Sequence, residues 1–456
     1  MTNFLYLPGW EVTDVKDRAS EYRATAAYTP EPDACPKCGT LGELYRHGVK
    51  VTDYRDAPVH GKQVLIEVRR RRYRCRACGG TFLQGLPDMD DTHRMTARCA
   101  EYVRQQSLLK PFTHVANDLG INEKTVRLIA REHIAAMNAA HRPYAPRVLG
   151  IDELTLLGKR RGIFVDIEGK RPLDLLEDNS RTVVTHWLVR LPHRQFVQVV
   201  SIDMWRAYRD AVAEVMPQAT VVIDKFHVIR MANDAMETVR KSLQRSMQDK
   251  SRRASKRNRY LLLRRPPKLR PDQAFALDGW LKNAPDLADA YEAKENFFGI
   301  YDATTREAAE AAYDMWLHTL TPELKVAFKP LITAMTNWRK EIFAYFDHRV
   351  TNAYTEAVNG IVKIANRMGR GYSFDVIRAR LLFGTRKPTE SLMRCPLCNS
   401  LHDMVDHFLP KGAFFILDGM DQIPPAPNLI MVCSECNRFH TEEWFKPDHV
   451  STPKSE

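Results

Sequence analysis

The apolar positions change rhythm along the chain. Between Val148 and His227 short β-branched runs recur, and three of them end on an aspartate: VLGID at Asp152, RQFVQVVSID at Asp203 and TVVID at Asp224. Such runs predict buried strands with carboxylates at their tips. RGIFVDIEG and RPLDLLED predict two further strands, and SRTVVTHWLVRLP predicts a helix. MWRAYRDAVAEV predicts an amphipathic helix with Met204, Trp205, Tyr208, Ala211, Val212 and Val215 on one side.

Upstream, Val64, Ile66 and Val68 alternate as in a half-buried strand, and from about Thr96 to His133 the period becomes helical. In FTHVANDLGINEKTVRLIAREH, Val115 and Leu119 stand one turn apart, Gly120 punctuates and Asn122 caps a second helix, in which Val126, Ile129 and Ala130 face inward. This is a helix-turn-helix pattern, which serves either DNA binding or a plain helical hairpin. Its second helix carries Lys124, Arg127 and Arg131 along one face. Cys99, in the preceding helix, reads as a small buried apolar residue rather than a nucleophile. RPYAPRV, from Arg142, reads as a linker.

Far downstream, TNAYTEAVNGIVKIANRMGRGYSFD sets Glu356, Asn359, Lys363 and Arg367 on one helical stripe. Ala357, Ile361, Ile364, Ala365 and Met368 form the opposite stripe, expected to be buried. The roughly 130 residues between Asp224 and Glu356 are too many for a loop and predict a helix-rich insertion. The basic stretch from Lys250 to Arg270 is either a DNA clamp or a charged loop, and Trp280, Tyr291, Phe297, Phe298 and Trp316 read as core rather than as base-stacking groups.

Charge and cysteine usage sharpen this picture. At 456 residues several cores fit, and the formal net charge of +12 favours a polyanionic partner. No apolar run is long enough to span a membrane and no secretory leader is visible, so a cytoplasmic protein is expected. Eight of the nine cysteines form C-x-x-C pairs: Cys35 with Cys38, Cys75 with Cys78, Cys395 with Cys398, and Cys433 with Cys436. In a reducing compartment they predict two four-thiolate Zn2+ sites, the first in a zinc ribbon with a hairpin or longer insertion between its pairs. The Arg69–Arg72 run beside it is either a solvated face or a phosphate grip. No function is assigned to residues 1–30.

The order β-β-β-α-β-α-β is that of a ribonuclease H-like fold, whose first and fourth strands are neighbours, so Asp152 and Asp203 should meet. Glu356 is the expected third carboxylate. The fold class is therefore multidomain α/β: a ribonuclease H-like catalytic core with a helical insertion, an N-terminal zinc ribbon, a helix-turn-helix and a C-terminal treble-clef-like zinc module. The expected domains are 1–92 (zinc-binding), 93–142 (helix-turn-helix), 147–228 (first part of the core), 229–349 (helical insertion), 350–386 (glutamate helix) and 390–446 (zinc module).

From about Cys35 to Leu382 the chain resembles bacterial insertion-sequence transposases of the L-three group, which have Mutator-like, DDE-type relatives. The resemblance rests on GIDE at Gly150, SIDMWRAYRDA at Ser201, IDKFHV at Ile223 and the helix TNAYTEAVNGIVKIANR. It implies binding to double-stranded DNA at terminal inverted repeats, with cleavage and transfer to target DNA. Asp152, Asp203 and Glu356 would hold two Mg2+ (or Mn2+) ions, and a homodimer would form on paired ends. Asp224 and His227 match a D-x-x-H signature, either supporting the site, contacting DNA or taking a direct part; the resemblance leaves open which of Asp203 and Asp224 is the second catalytic aspartate. Lys363 and Arg367 would meet phosphates.

The tail, with CPLC, VDHFLP, PNLIMV and CSECNRFH, resembles an HNH nuclease module in part. That resemblance implies His407 as general base, Asp406 and His440 near a metal and Asn428 orienting the base; a purely structural zinc module is the other reading. Two rival functions follow, an inactive DNA-binding regulator and a nuclease acting through the tail. A tyrosine or serine recombinase finds no supporting constellation around Tyr208 or Tyr372.

Overall fold

The structure, a computed structural model, describes residues 5–246, 248–369 and 371–384, with the backbone of short strands between 393 and 441. The chain divides into two compact units, one of Met1–His141 with Val362–Lys387 and one holding Arg142–Ile361.

The first unit begins with β1 (Trp10–Asp17), β2 (Glu21–Tyr28), β3 (Leu44–Val59), β4 (Lys62–Cys75), β5 (Thr81–Leu83), β6 (Met89–Asp90) and β7 (Met95–Thr96). They form a seven-stranded sheet of order β1-β2-β4-β3-β7-β6, with β5 paired to β4. β3 and β4 are one long antiparallel hairpin that turns at His60 and Gly61 (φ +50° and +76°), and this hairpin fills the stretch between the two cysteine pairs. Val64, Ile66 and Val68 are buried with Trp10, Ala24, Ala26 and Tyr54.

Three helices follow: α1 (Ala97–Leu109), α2 (Phe112–Leu119) and α3 (Glu123–Ala140). Gly120 closes α2 in the left-handed region at φ +65°, and Asn122 caps α3 by accepting from the Lys124 N–H at 2.8 Å. Val115, Leu119, Val126, Ile129 and Ala130 are buried, as their spacing predicts. Cys99 is buried as well, and burial pushes its thiol up to about 12, far from a reactive thiolate. Helix Phe374–Phe383 packs on α1 and α3. From it the buried Arg380 donates to Ser107 O at 2.8 Å and to Tyr372 Oη at 2.9 Å, while Tyr372 Oη accepts from the Phe112 N–H at 3.1 Å.

The second unit is built on β8 (Val148–Leu156), β9 (Lys159–Asp166), β10 (Arg171–Leu175), β11 (Val199–Ile202) and β12 (Thr220–Ile223), in the order β10-β9-β8-β11-β12. β8, β11 and β12 run parallel, with Gly150 opposite Ser201 and Ile202 opposite Ile223. Helices α4 (Arg181–Arg190) and α5 (Arg206–Val215) connect the strands as expected. Tyr208, Ala211 and Val212 are buried on α5, but Trp205 precedes the helix at its N-cap and is 44 % exposed, so it does not belong to the buried stripe where its spacing had put it.

After β12 the chain is helical: α6 (Lys225–Leu243), α7 (Asp249–Leu263), α8 (Pro271–Lys282), α9 (Pro285–Ile300), α10 (Arg306–Thr319), α11 (Pro322–Ala327), α12 (Lys329–Asn337) and α13 (Arg339–His348). Tyr291, Phe297, Phe298 and Trp316 are buried and Trp280 packs against them, in a core continuous with that of the sheet.

Last come α14 (Ala353–Gly369) and α15, the Phe374–Phe383 helix. The buried residues of α14 are Thr355, Val358, Asn359 and Val362, whereas Ile361, Ile364 and Met368 are exposed. The apolar stripe expected to be buried therefore faces solvent. The physical reason is polar: Asn352 and Asn359 hydrogen-bond β8, and these bonds fix the rotation of the helix against the pull of its isoleucines. The backbone segments Met404–Phe408, Leu429–Cys433 and Phe439–Thr441 pair as a three-stranded sheet. Side chains of the tail, including Cys395, Cys398, Cys433, Cys436, Asp406, His407, Asn428 and His440, lie outside the described residues.

Candidate active site

Parallel pairing determines which aspartates can meet. Continuing the register past its last pairs, by two residues between β8 and β11 and by one between β11 and β12, sets Asp152, Asp203 and Asp224 at one level, with Asp203 in the middle. Neighbouring strands lie about 4.8 Å apart, so Asp203 is adjacent to both others while Asp152 and Asp224 are two strands apart. The structure groups Asp152, Asp203 and His227 so that one ligand atom from each lies within 4.8 Å of the others.

Each member is held by a named partner. Asp152 Oδ1 accepts from the Glu153 N–H at 2.7 Å, and Asp152 Oδ2 accepts from Asn359 Nδ2 at 2.7 Å. His227, in the first turn of α6, pairs through Nε2 with Asp203 Oδ1 at 2.7 Å. Asp224 is buried and is the N-cap of α6, accepting from the Phe226 N–H at 3.3 Å. Gly150 permits the approach of α14: a Cβ there would fall 2.8 Å from Asn352 Oδ1 and 2.7 Å from Val165 Cγ2.

Electrostatics follow from this crowding. Burial, then the charge and hydrogen bond of Asp203, push Asp152 up to about 7, against the pull of the Glu153 N–H and the His227 charge. Burial also raises Asp224, partly offset by the Phe226 N–H, the His227 charge and the Asn352 N–H. Burial would lower His227, but the hydrogen bond and charge of Asp203 and the charges of Asp224 and Asp152 outweigh it, and its net shift is upward. Two carboxylates and an imidazole converge here, a donor set that can hold a divalent metal ion.

Glu356 lies in the first turn of α14, exposed, and is not in this group. Asn359, one turn later on the same helix, is the residue that reaches Asp152. Sequence placed Asn359 on the right stripe without giving it this partner, and Asn352, buried before α14, was missed; an asparagine immediately ahead of a helix is its only signal. Neither tyrosine considered as a nucleophile is available: Tyr208 is buried with its hydroxyl 3.4 Å from Asp152 O, and Tyr372 is tied to Arg380 and Phe112.

The first cysteine cluster is a second candidate centre. Cys35 Sγ lies 3.8 Å from Cys78 Sγ and Cys38 Sγ lies 3.8 Å from Cys75 Sγ. Four thiolates at about 2.3 Å from a tetrahedral zinc would stand about 3.8 Å apart. Both knuckles use the same turn, in which Gly39 N donates to Cys35 O and Gly79 N to Cys75 O, with φ +74° and +67° at the glycines. The Thr40 hydroxyl and N–H pull the Cys38 thiol down to about 6, toward the thiolate that zinc requires.

Of the basic residues singled out, Lys124 and Arg131 are exposed on α3, while Arg127 is half-buried and paired with Glu123 at 2.5 Å. Lys363 and Arg367 are exposed on α14. The Arg69–Arg72 run is split. Arg70 is bound to Asp91 and Gln84 O, Arg71 to Glu31 and Thr29 O, and Arg72 to Thr81, so three of its four members hold the ribbon together. Among the described residues no helix is long and apolar enough to cross a membrane.

Comparison with known proteins completes the picture. Residues 149–381 match the ISL3-type family described as transposase, and residues 31–78 match the zinc finger of the transposases of IS204, IS1001, IS1096 and IS1165. The transposase for insertion sequence element IS1001 of Bordetella parapertussis is 26 % identical, over 74 % of this chain and 85 % of its own length. The transposase for insertion sequence element IS1557 of Mycobacterium tuberculosis is 22 % identical, over 74 % of this chain and 82 % of its own. The chain belongs to the ISL3 family and is the transposase of an insertion sequence.

Proposed function

We propose that this transposase cleaves DNA at the terminal inverted repeats of its element and joins the ends to target DNA, using a ribonuclease H-like core in which Asp152, Asp203 and Glu356 hold Mg2+ or Mn2+. The observation that carries the proposal is the convergence of Asp152 and Asp203, on neighbouring parallel strands, with His227 in one group. The strand order β10-β9-β8-β11-β12, three antiparallel-linked strands followed by two parallel ones, supports the fold.

A pair of bound divalent ions would stabilise the charge that develops on the attacking and leaving oxygens of an in-line displacement at phosphorus. The chain's own residues prepare for this. Asn359 fixes one oxygen of Asp152, and His227 fixes one of Asp203, so both carboxylates are oriented before substrate arrives. Asp224 anchors α6, which carries His227, and so acts through position. Glu356 is delivered by the helix that already touches Asp152 through Asn359, one turn away. Lys124, Arg127 and Arg131 on α3 and Lys363 and Arg367 on α14 bind phosphates or base edges, and paired ends are held by a homodimer.

The test is cleavage and strand transfer on labelled DNA carrying the element's own ends, with Mg2+, for the wild type and for Asp152→Asn, Asp203→Asn, Asp224→Asn and Glu356→Gln. The expected result is loss of both steps in the Asp152, Asp203 and Glu356 variants and weakening in the Asp224 variant. Full activity of Asp203→Asn with a dead Asp224→Asn would transfer the second ligand to Asp224, and full activity of all four would overturn the proposal.

A further inference from the structure

Two large aromatic side chains beside the carboxylates are left in solvent. Trp205 is 44 % exposed and Phe226 is 47 % exposed, while Ile202, Tyr208, Ile223 and Val228 on the same segments are buried. Both aromatics thus forgo the burial that stabilises their neighbours. Trp205 stands two residues past Asp203, in a tight turn where Trp205 N donates to Asp203 O at 2.6 Å. Phe226 directly precedes His227, with the two rings edge to face at 5.8 Å. Because His227 pairs with Asp203 at 2.7 Å, Trp205 and Phe226 each stand next to a member of one Asp203–His227 pair, Trp205 through its own turn and Phe226 through the His227 ring.

Each aromatic also has an arginine near it in sequence. Arg206 follows Trp205 and is exposed, and Arg230, which pairs with Asp234 at 3.9 Å, is exposed one helical turn beyond Phe226. An aromatic face next to a guanidinium matches a nucleotide: the base stacks on the ring and the phosphate meets the charge. A base inside a duplex is already stacked on both faces, so such a ring is useful only to a base that has left the stack.

We infer that Trp205 and Phe226 stack on the bases flanking the scissile phosphate, so that the strand lies unpaired where it crosses the carboxylates. This rests on the reading that Asp152 and Asp203 act on DNA. The aromatic rings replace the stacking that the flanking bases lose, and they do so without sequence preference because every base offers a π-face.

The test uses the full chain and a duplex of the element end with its flank, carrying 2-aminopurine at each position around the cleavage point in turn. Binding without divalent ions, followed by cleavage on adding Mg2+, is measured for wild type, Asp152→Asn, Trp205→Ala, Trp205→Phe and Phe226→Ala. At one or more flanking positions the wild type and Asp152→Asn change the fluorescence on binding. The two alanine variants lose that change, cleave roughly tenfold or more slowly and keep the wild-type unfolding temperature, and Trp205→Phe restores both signals. Removing the base at the responsive position makes the wild type and the alanine variant cleave at the same rate, because neither the stacking cost nor the ring's partner remains, which a purely structural role for Trp205 would not do. A wild type that cleaves normally with unchanged fluorescence at every flanking position, or alanine variants that keep both signals, would overturn the inference and leave the carboxylate assignment standing. Full cleavage by Asp152→Asn would instead remove the carboxylate assignment itself.

Discussion

Asn359 Nδ2 and Asp152 Oδ2 are 2.7 Å apart, a hydrogen bond across 207 positions of sequence that ties helix α14 to the tip of the central strand β8. Asp152 is buried beside a second carboxylate, and this donor holds one of its oxygens while the Glu153 N–H holds the other. Replacing Asn359 with alanine removes the donor and frees the carboxylate to rotate. Cleavage is expected to fall about 10- to 100-fold, in line with the loss of groups that orient metal ligands. Gln at the same position, longer by one methylene, should recover little. The check is single-turnover cleavage with Mg2+ titrated for each variant: an orienting role raises the Mg2+ needed for half-maximal rate, whereas an unchanged Mg2+ dependence would remove it.

Metal-free protein should lose stability as pH rises toward neutrality. An acid whose folded value is raised contributes stability that is full below its unfolded value, near 4, and lost as pH climbs through the folded value, which for Asp152 is about 7. His227, also raised, acts in the same direction, its contribution being full below about 6.5 and lost above its own elevated value. Unfolding temperatures measured from pH 5 to pH 9 in a chelator should therefore decline over the lower half of the range, between about pH 5 and pH 7, and level off once pH passes the folded values. Mg2+ should flatten the decline by supplying the missing positive charge, and Asp152→Asn should flatten it without Mg2+. A decline of equal size in Asp152→Asn would assign it to other groups.

Much of this architecture was legible in the sequence, for identifiable reasons. The central strands announce themselves because parallel strands buried on both faces become unbroken β-branched runs, and the aspartates at their ends interrupt them sharply. From that order alone Asp203 follows as the neighbour of Asp152. Helices α2 and α3 were readable because Gly120 and Asn122 punctuate the turn between them. β1 and β2 were not, since the inward side of β2 is formed by Ala24 and Ala26, whose small side chains give no alternation signal. The rotation of α14 was misread because apolar periodicity assumes that burial of isoleucine decides. Here the hydrogen bonds of Asn352 and Asn359 decide, and a helix held by two buried amides can leave Ile361 and Ile364 in water. Trp205 was misread for a related reason: helical spacing counts it, but the turn after Asp203 takes it out of the helix.

Zinc should be structural in the N-terminal unit. The four sulfurs sit at the edge length of a zinc tetrahedron, and the sheet that holds them is fixed at that end only by β3, β4 and β5. Cys35→Ser should release one equivalent of zinc relative to the wild type, measured by atomic absorption, and lower the affinity for element-end DNA. It should leave the carboxylate group intact, seen as an unchanged Mg2+ dependence of residual cleavage at saturating protein. Equal zinc content in the variant and the wild type would show that the metal is held elsewhere.

Gly150→Ala tests whether contact between strand and helix, rather than the strand alone, builds the site. Gly150 lies in β8 two residues before Asp152, and an added methyl would meet Val165 Cγ2 at 2.7 Å and Asn352 Oδ1 at 2.8 Å, both inside van der Waals contact. Val165 sits directly opposite on the paired strand β9 and is stiff at χ1, so Asn352 is the neighbour that gives way more readily. Overpacking of this kind costs about 1–3 kcal/mol. Moving Asn352 also carries the start of α14, and with it Glu356 and Asn359, away from the carboxylates. Cleavage should thus be lost at temperatures where the variant is still folded by circular dichroism, and Asn352→Ala in the same chain, which vacates the space the methyl needs, should recover stability but not activity. Recovery of both would mean that Asn352 only fills space, and recovery of neither would place the clash at Val165 instead.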